Sequence, residues 1–387
     1  MIKTITRTFI FCCSFLFFGC PKDEPPEIIG PPEPTNCEYP AGNRNFTWRL
    51  DTVAWFPSTL GGVHAFSDSD AYLMGSIFQR PNGISTGYLG LHWNGKKWDT
   101  NINGTVEEIK HVANDATGDD HFMVSVGNWS ITPPKPALGE FDNDTKKWKG
   151  YQFQTLGELR SVWTDGKGYF IAVGDNGMVY IKDSYTAEWV YQKAPTEFNF
   201  FRVDGISKNE LYFRGDIAIP GMHFQQIWKY SNNVWRKLLD NQDTTNTLIK
   251  IPEAAGLLHD ISVLRCNIND SLKLYVIGDE SFVFEAKGDL VEFKKTNLST
   301  LGLPLKQNGR TGLDINAFSP NDIWIFGTRY NFYHWNGKDF QNIVIPGLPN
   351  DDTRFGDQRK MVKTSSGKVF LPTEVSSQVY VVVQGTP

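Results

Sequence analysis

Residues 314–342 read DINAFSPNDIWIFGTRYNFYHWNGKDFQN, four short apolar runs separated by turn residues. The runs are 315–318, 323–326, 332–335 and 338–341. Ser319-Pro320-Asn321-Asp322 places proline where a type I turn needs its fixed φ. Asn336-Gly337 is a two-residue hairpin signal, because both residue types tolerate positive φ. The stretch is therefore long enough for a four-stranded antiparallel meander. The same phrase stands near the other end of the chain, as Val63-His64-Ala65-Phe66-Ser67, then Asp70, Gly75, His92-Trp93-Asn94-Gly95 and Trp98. A repeated four-stranded unit cannot bury its faces alone and must stack on copies of itself.

Four marks define each unit: an apolar strand A, a strand B ending in glycine, an aromatic strand C and an aromatic early in strand D. The B-strand glycines are Gly75, Gly127, Gly174, Gly215, Gly278 and Gly327, and the D-strand aromatics are Trp98, Trp148, Trp189, Trp235, Phe293 and Phe340. These make six complete units. The C-terminal tail adds strands A, B and C (360–363, 368–371 and 379–383) with no D strand. Residues 46–50 read as a D strand with no predecessor, with Trp48 in the place Trp98 takes. Pairing the leftovers gives an all-β, seven-bladed β-propeller of four-stranded antiparallel blades, closed by the N-terminal strand in a 3+1 arrangement. Closure removes the open sheet edge.

The rest of the 387-residue chain reads as an address. Lys3 and Arg7 precede an apolar run, 9–18, too short to span a bilayer. That run ends in Leu16-Phe17-Phe18-Gly19-Cys20, which resembles the lipobox of bacterial lipoproteins. The resemblance implies cleavage after residue 19 and acylation of Cys20. Residues 20–45 then form a Pro- and Glu-rich spacer with a reach on the order of 60–70 Å, and residues 46–387 the propeller. Lys22-Asp23-Glu24 resembles the acidic signal that sends some lipoproteins to the cell surface, so a lipid-anchored, outer-membrane location is expected. Net charge is −5 with no basic block, which argues against nucleic acid. Cys37 and Cys266 are both available for an envelope disulfide. With Cys37 in a floppy segment, free or partly paired thiols are expected.

The blade pattern resembles kelch-like and YCF48-like seven-bladed propellers over residues 46–387. Val173-Gly174-Asp175-Asn176-Gly177-Met178-Val179-Tyr180 carries the YCF48-like phrasing. In such rings the D–A and B–C connections share one face, here the top, and the A–B and C–D connections share the bottom. The longest connections (76–86, 128–135, 216–226, 238–257, 297–312 and 345–358) all fall on top, whereas the bottom turns are tight. Long loops on a rigid scaffold usually carry recognition. The tether joins the bottom, so the top is expected to face away from the membrane.

Candidate ligand-binding residues on the top are Phe78, Arg80, Trp129, His223, Phe224, Arg310 and Arg354. Trp129 suits stacking on a sugar or anchoring a protein, although a tryptophan capping a blade edge is the commoner case. Innermost strands are expected to bring His64, His111, Arg202, His259, Asp260 and Asn316 toward the channel, where histidines bonded to water or backbone outnumber metal ligands. Asp142-Asn143-Asp144 and Asp115 with Asp119-Asp120 resemble fragments of calcium loops; no cofactor is expected, and a structural calcium ion is left open. No nucleophile elbow, zinc-helix, P-loop or dinucleotide motif is present. The expected function is a surface-anchored binding module for a glycan or an envelope protein, as a monomer or within an outer-membrane complex. The alternatives are a polysaccharide hydrolase or lyase at the channel mouth, marked by carboxylates about 5–10 Å apart, and an outer-membrane assembly scaffold.

Overall fold

The computed structural model describes residues 39–79, 86–102, 111–129, 132–219, 222–241, 247–249, 257–266, 270–287, 293–303, 314–327, 331–348, 360–376 and 379–387. Cys20, Arg80, Arg310 and Arg354 lie outside them. The described chain is almost entirely strand and is organised as seven blades. Five are separate four-stranded antiparallel sheets, and the other two share one seven-stranded sheet.

The shared sheet is the closure. Strand β1 (Thr47–Ser67) is 21 residues long and serves two blades. Its first part pairs with the last strand of the chain, Val379–Thr386, with Trp48 opposite Gly385. Its second part pairs with β2 (Asp70–Gln79) as the innermost strand of blade one, after a register break between Trp55 and Thr59. The orphan D strand and the C-terminal A, B and C strands thus form blade seven, as the sequence predicts. A Cβ on Gly385 would lie 2.6 Å from the Trp48 ring, so glycine is what lets the indole lie across the sheet. Trp48 and Phe46 meet Trp324 of blade six at 6.4 and 5.8 Å, sealing the seam.

The B-strand glycines answer to a close approach of backbone. A Cβ at Gly127 would sit 1.8 Å from the Val112 carbonyl oxygen, and one at Gly174 1.9 Å from that of Glu158. In each case the carbonyl belongs to the chain entering strand A, and the A–B register shifts nearby. Apolar clusters then fill the spaces between successive blades: Val124, Leu138, Val162 and Phe170, for example, join blades two and three.

Two expectations are corrected. Connections 76–86 and 216–226 are largely not loops. The B and C strands of blade one remain paired out to Gln79–Thr86. Those of blade four, Glu210–Ile219 and Met222–Ser231, remain paired to Ile219–Met222. In blade four this ladder outruns the last A–B pair, Asn199–Asp216, so the connection stands up as a two-stranded β-hairpin; in blade one, β2 stays paired with β1 as far as Trp55–Phe78, so the connection extends the blade itself. Cys266 is disulfide-bonded rather than a free thiol, to a cysteine outside the described residues. The reason is visible in the chain that precedes β1, which lies against the bottom of blade six. Gly42 N donates to Asn321 O at 2.8 Å, and Asn321 Nδ2 to Tyr39 O at 2.7 Å. Arg44 reaches Asp339 Oδ1 and His334 O, both at 2.8 Å. Cys266 ends the A strand of neighbouring blade five, also at the bottom.

Candidate functional site: the channel mouth

The upper ends of the innermost strands line an open cavity of about 200 Å³. Four cations line it: Arg160, Arg202, Arg214 and Lys360. Three carboxylates face them, Asp115, Asp260 and Asp314, and Phe201 supplies an apolar wall. The Phe201 ring lies 4.6 Å from the Arg160 guanidinium and 5.2 Å from that of Arg214. These distances are in the range of cation–π attraction.

The carboxylates do two jobs. Asp115 Oδ2 accepts from Ser161 Oγ and Val162 N of the next blade, both at 3.1 Å. Asp260 Oδ2 accepts from Ile315 N at 2.9 Å, again one blade on. Asp204 repeats the device from blade four, accepting from Ser262 Oγ at 2.7 Å and Val263 N at 2.9 Å. An acid at the inner strand thus stitches one blade to the next by bonding its otherwise unpaired edge N–H. Such a buried carboxylate is a structural acceptor first.

Charge is tightly coupled around Arg202. Its Nε lies 3.1 Å from Asp260 Oδ1, and Nη2 3.9 Å from Asp314 Oδ1. Burial works against the guanidinium charge, but Asp260 and Asp314 outweigh it and hold its pKa above the ordinary value. Burial pushes the Asp260 carboxyl well up; Arg202 opposes this and the Asp314 carboxylate adds to it. Arg214 donates to Asp216 and to the Leu258 carbonyl, both at 2.6 Å. Burial nevertheless lowers its pKa. Arg160 holds Asp175 at 2.6 Å. Lys360 has no ion pair among the described residues.

Of the channel candidates, Arg202, His259 and Asp260 line the mouth. His64 and His111 do not, and this corrects their placement. His111 turns into its own blade, bonding Ser125 Oγ at 3.0 Å and packing at Gly139. His64 bonds the Asp119 carbonyl at 3.1 Å and packs edge-on against Phe66. Bulges in the A strands break the simple alternation from which inward positions are counted. Asn316 is buried, with Nδ2 unpaired. Among the described residues no three His, Cys, Asp or Glu side chains come together as a metal site. Asp142 and Asp119 cap turns: Asp142 Oδ1 accepts from Asp144 N and Thr145 N, Asp119 Oδ1 from His121 N and Phe122 N.

The rim candidates stand apart from this cavity. Trp129 is the last residue of a B strand, paired with His111 and Lys135 rather than held in a loop. Phe224 and the backbone of His223 are on the projecting blade-four hairpin, whereas Phe78 stays within blade one, opposite Trp55 and Gly87. Sequence reasoning missed Arg160, Phe201, Arg214, Asp314 and Lys360. A signal existed for Arg160 and Asp314: a charged residue recurs where innermost strands begin, as in Leu159-Arg160, Phe201-Arg202, His259-Asp260 and Asp314-Ile315.

Comparison with known structures gives the frame for this geometry. A structure of YCF48 bound to D1 peptide superposes with a TM-score of 0.59 at 13% identity, covering 90% of this chain and 97% of that one. The fold is shared. YCF48 from Cyanidioschyzon merolae follows at 0.56 and 12%, covering 88% and 98%, and the WD40 β-propeller domain of Doa1 at 0.50 and 10%, covering 87% and 97%. No protein-family model matches the chain, and no curated protein does. The YCF48-like phrasing in the sequence thus corresponds to a propeller of the same architecture.

Proposed function

We propose that the protein is a binding module of the cell envelope, anchored through Cys20 and engaging a protein or glycan partner on its top face. One observation carries the reading: the two faces are finished differently. The bottom is covered at blade six by the chain leading to the anchor, whereas the top carries the charged mouth and the projecting blade-four hairpin. Paired strands standing free of the blades resemble the surfaces to which peptides dock by strand or side-chain contact. That a YCF48 structure holds a peptide on the same fold supports a protein partner.

The test is capture of envelope proteins and a glycan array with the full-length chain, run in parallel for Trp129→Ala, Phe224→Ala and the bottom-face variant Arg44→Ala. Loss of capture in a rim variant with retention in Arg44→Ala is the expected pattern. The reverse pattern, capture lost only from the bottom, would sink the assignment.

A further inference from the structure

The channel mouth holds hydrogen-bonding capacity that the protein itself does not use. Arg214 is 6% exposed, and its Nε has no partner. Arg202 Nε lies within ion-pair distance of Asp260 but is not aligned for a hydrogen bond, and it too is unpaired. Lys360 brings an ammonium with no ion pair among the described residues. Against these donors stands one acceptor without a hydrogen bond, Asp314 Oδ1, which has only the Arg202 Nη2 charge at 3.9 Å. All four side chains line the same cavity. An unpaired buried polar atom is costly, and Arg202 Nε, Arg214 Nε and Asp314 Oδ1 all belong to side chains that line this one cavity, which points to something else completing the set.

We propose that the mouth is a subsite for a hydroxylated carboxylate of the size of one uronic acid residue. This deepens the glycan branch of the function proposed above and rests on the top face being the working face. A carboxylate supplies acceptors for Lys360 and the two arginines, and bonds between ionised partners are the strong ones. A neighbouring hydroxyl donates to Asp314 Oδ1, which a bare carboxylate leaves unsatisfied. A neutral sugar would meet Asp314 but leave the Lys360 charge unmatched. The space of about 200 Å³ corresponds to roughly six or seven waters at about 30 Å³ each, enough for one sugar ring.

The experiment is isothermal titration calorimetry of the full-length chain with glucuronate and galacturonate. Glucose, acetate and the dipeptide Ala-Ala serve as comparison probes. The expected result is binding of at least one uronate, about tenfold tighter than glucose or acetate, and weakened about tenfold by Lys360→Gln. Asp314→Ala, which removes the acceptor, should erase the advantage of uronate over acetate. Because Lys360 makes no ion pair among the described residues, Lys360→Gln should melt with the parent protein and report on binding alone. Any of three results overturns the proposal: neither uronate binds, glucose or acetate binds as tightly, or Ala-Ala binds more tightly than both uronates. Partner capture that still depends on the rim would then leave the top-face reading standing without this subsite.

Discussion

The underside of the ring and its mouth are built from the same residue types and differ in how completely their carboxylates are paired. Below, each acid bridges partners across a seam or between strands. Asp70 takes His92 at 2.8 Å and Lys146 of the next blade at 3.2 Å. Glu210 takes Lys229 at 2.9 Å and Arg265 of the next blade at 2.6 Å. Asp322 repeats the scheme with His334 and Lys363. A stacked ring backs the histidine in two of these, Tyr72 on His92 and Trp324 on His334. At the mouth, Asp314 Oδ1 is left over beside Arg202 Nε and Arg214 Nε; below, the unpaired buried atoms among the described residues include Arg44 Nε and His334 Nδ1 but no carboxylate oxygen. Charge that closes on itself is spent on holding blades together. Charge left open is available to a ligand.

Four outcomes break or sharpen that contrast. The largest concerns the ring itself. Removal of residues 1–55 takes away the outermost strand of blade seven, and circular dichroism should then show no cooperative melt. A fragment that melts like the parent would mean that closure does not govern stability. Next is the buried pair between blades two and three, Lys182 and Glu140 at 3.2 Å, with Trp189 Nε1 also donating to Glu140. Glu140→Ala strands the lysine and should cost about 3–5 kcal/mol in denaturant unfolding.

Acid comes third. Burial lowers the pKa of His64 and of His111 from 6.5 to about 4. The unfolded chain therefore binds these two protons first as pH falls. Stability should drop between pH 6.5 and 4 by up to about 3 kcal/mol per histidine, and no further below that window from these groups. The underside acids act lower. Burial raises the Asp70 and Asp322 carboxyls, but their histidine and lysine partners outweigh it and leave both below 3.8. Their contribution is present above 3.8 and is lost as pH falls through the folded values. Urea titrations from pH 7 to 3 should show both phases, with His111→Gln flattening the first. The smallest effect belongs to the mouth, where Lys360→Gln should leave the melting temperature unchanged.

Much of the architecture was legible because β-blades announce themselves locally. Turn residues such as Asn336-Gly337 and the aromatics of strands C and D repeat at intervals a reader can count, and Trp48 had no other blade to join. The mouth was harder to read. Arg160, Arg214, Asp314 and Lys360 are ordinary charges in sequence and become a site only where innermost strands converge. His64 and His111 were misplaced because a bulge shifts which side chain faces inward, and nothing in the residue string marks it. The connections in blades one and four read as loops because continued pairing depends on two strands meeting in register.

By itself the sequence determined the strand count, the closing partner of Trp48 and the places where glycine admits a neighbouring carbonyl, since each follows from contacts within or between adjacent strands. Only the tertiary structure decided which charges saturate one another and which do not. Whether a carboxylate stitches two blades or stands open at the mouth depends on the distance to groups more than forty residues away, as with Asp115 and Ser161.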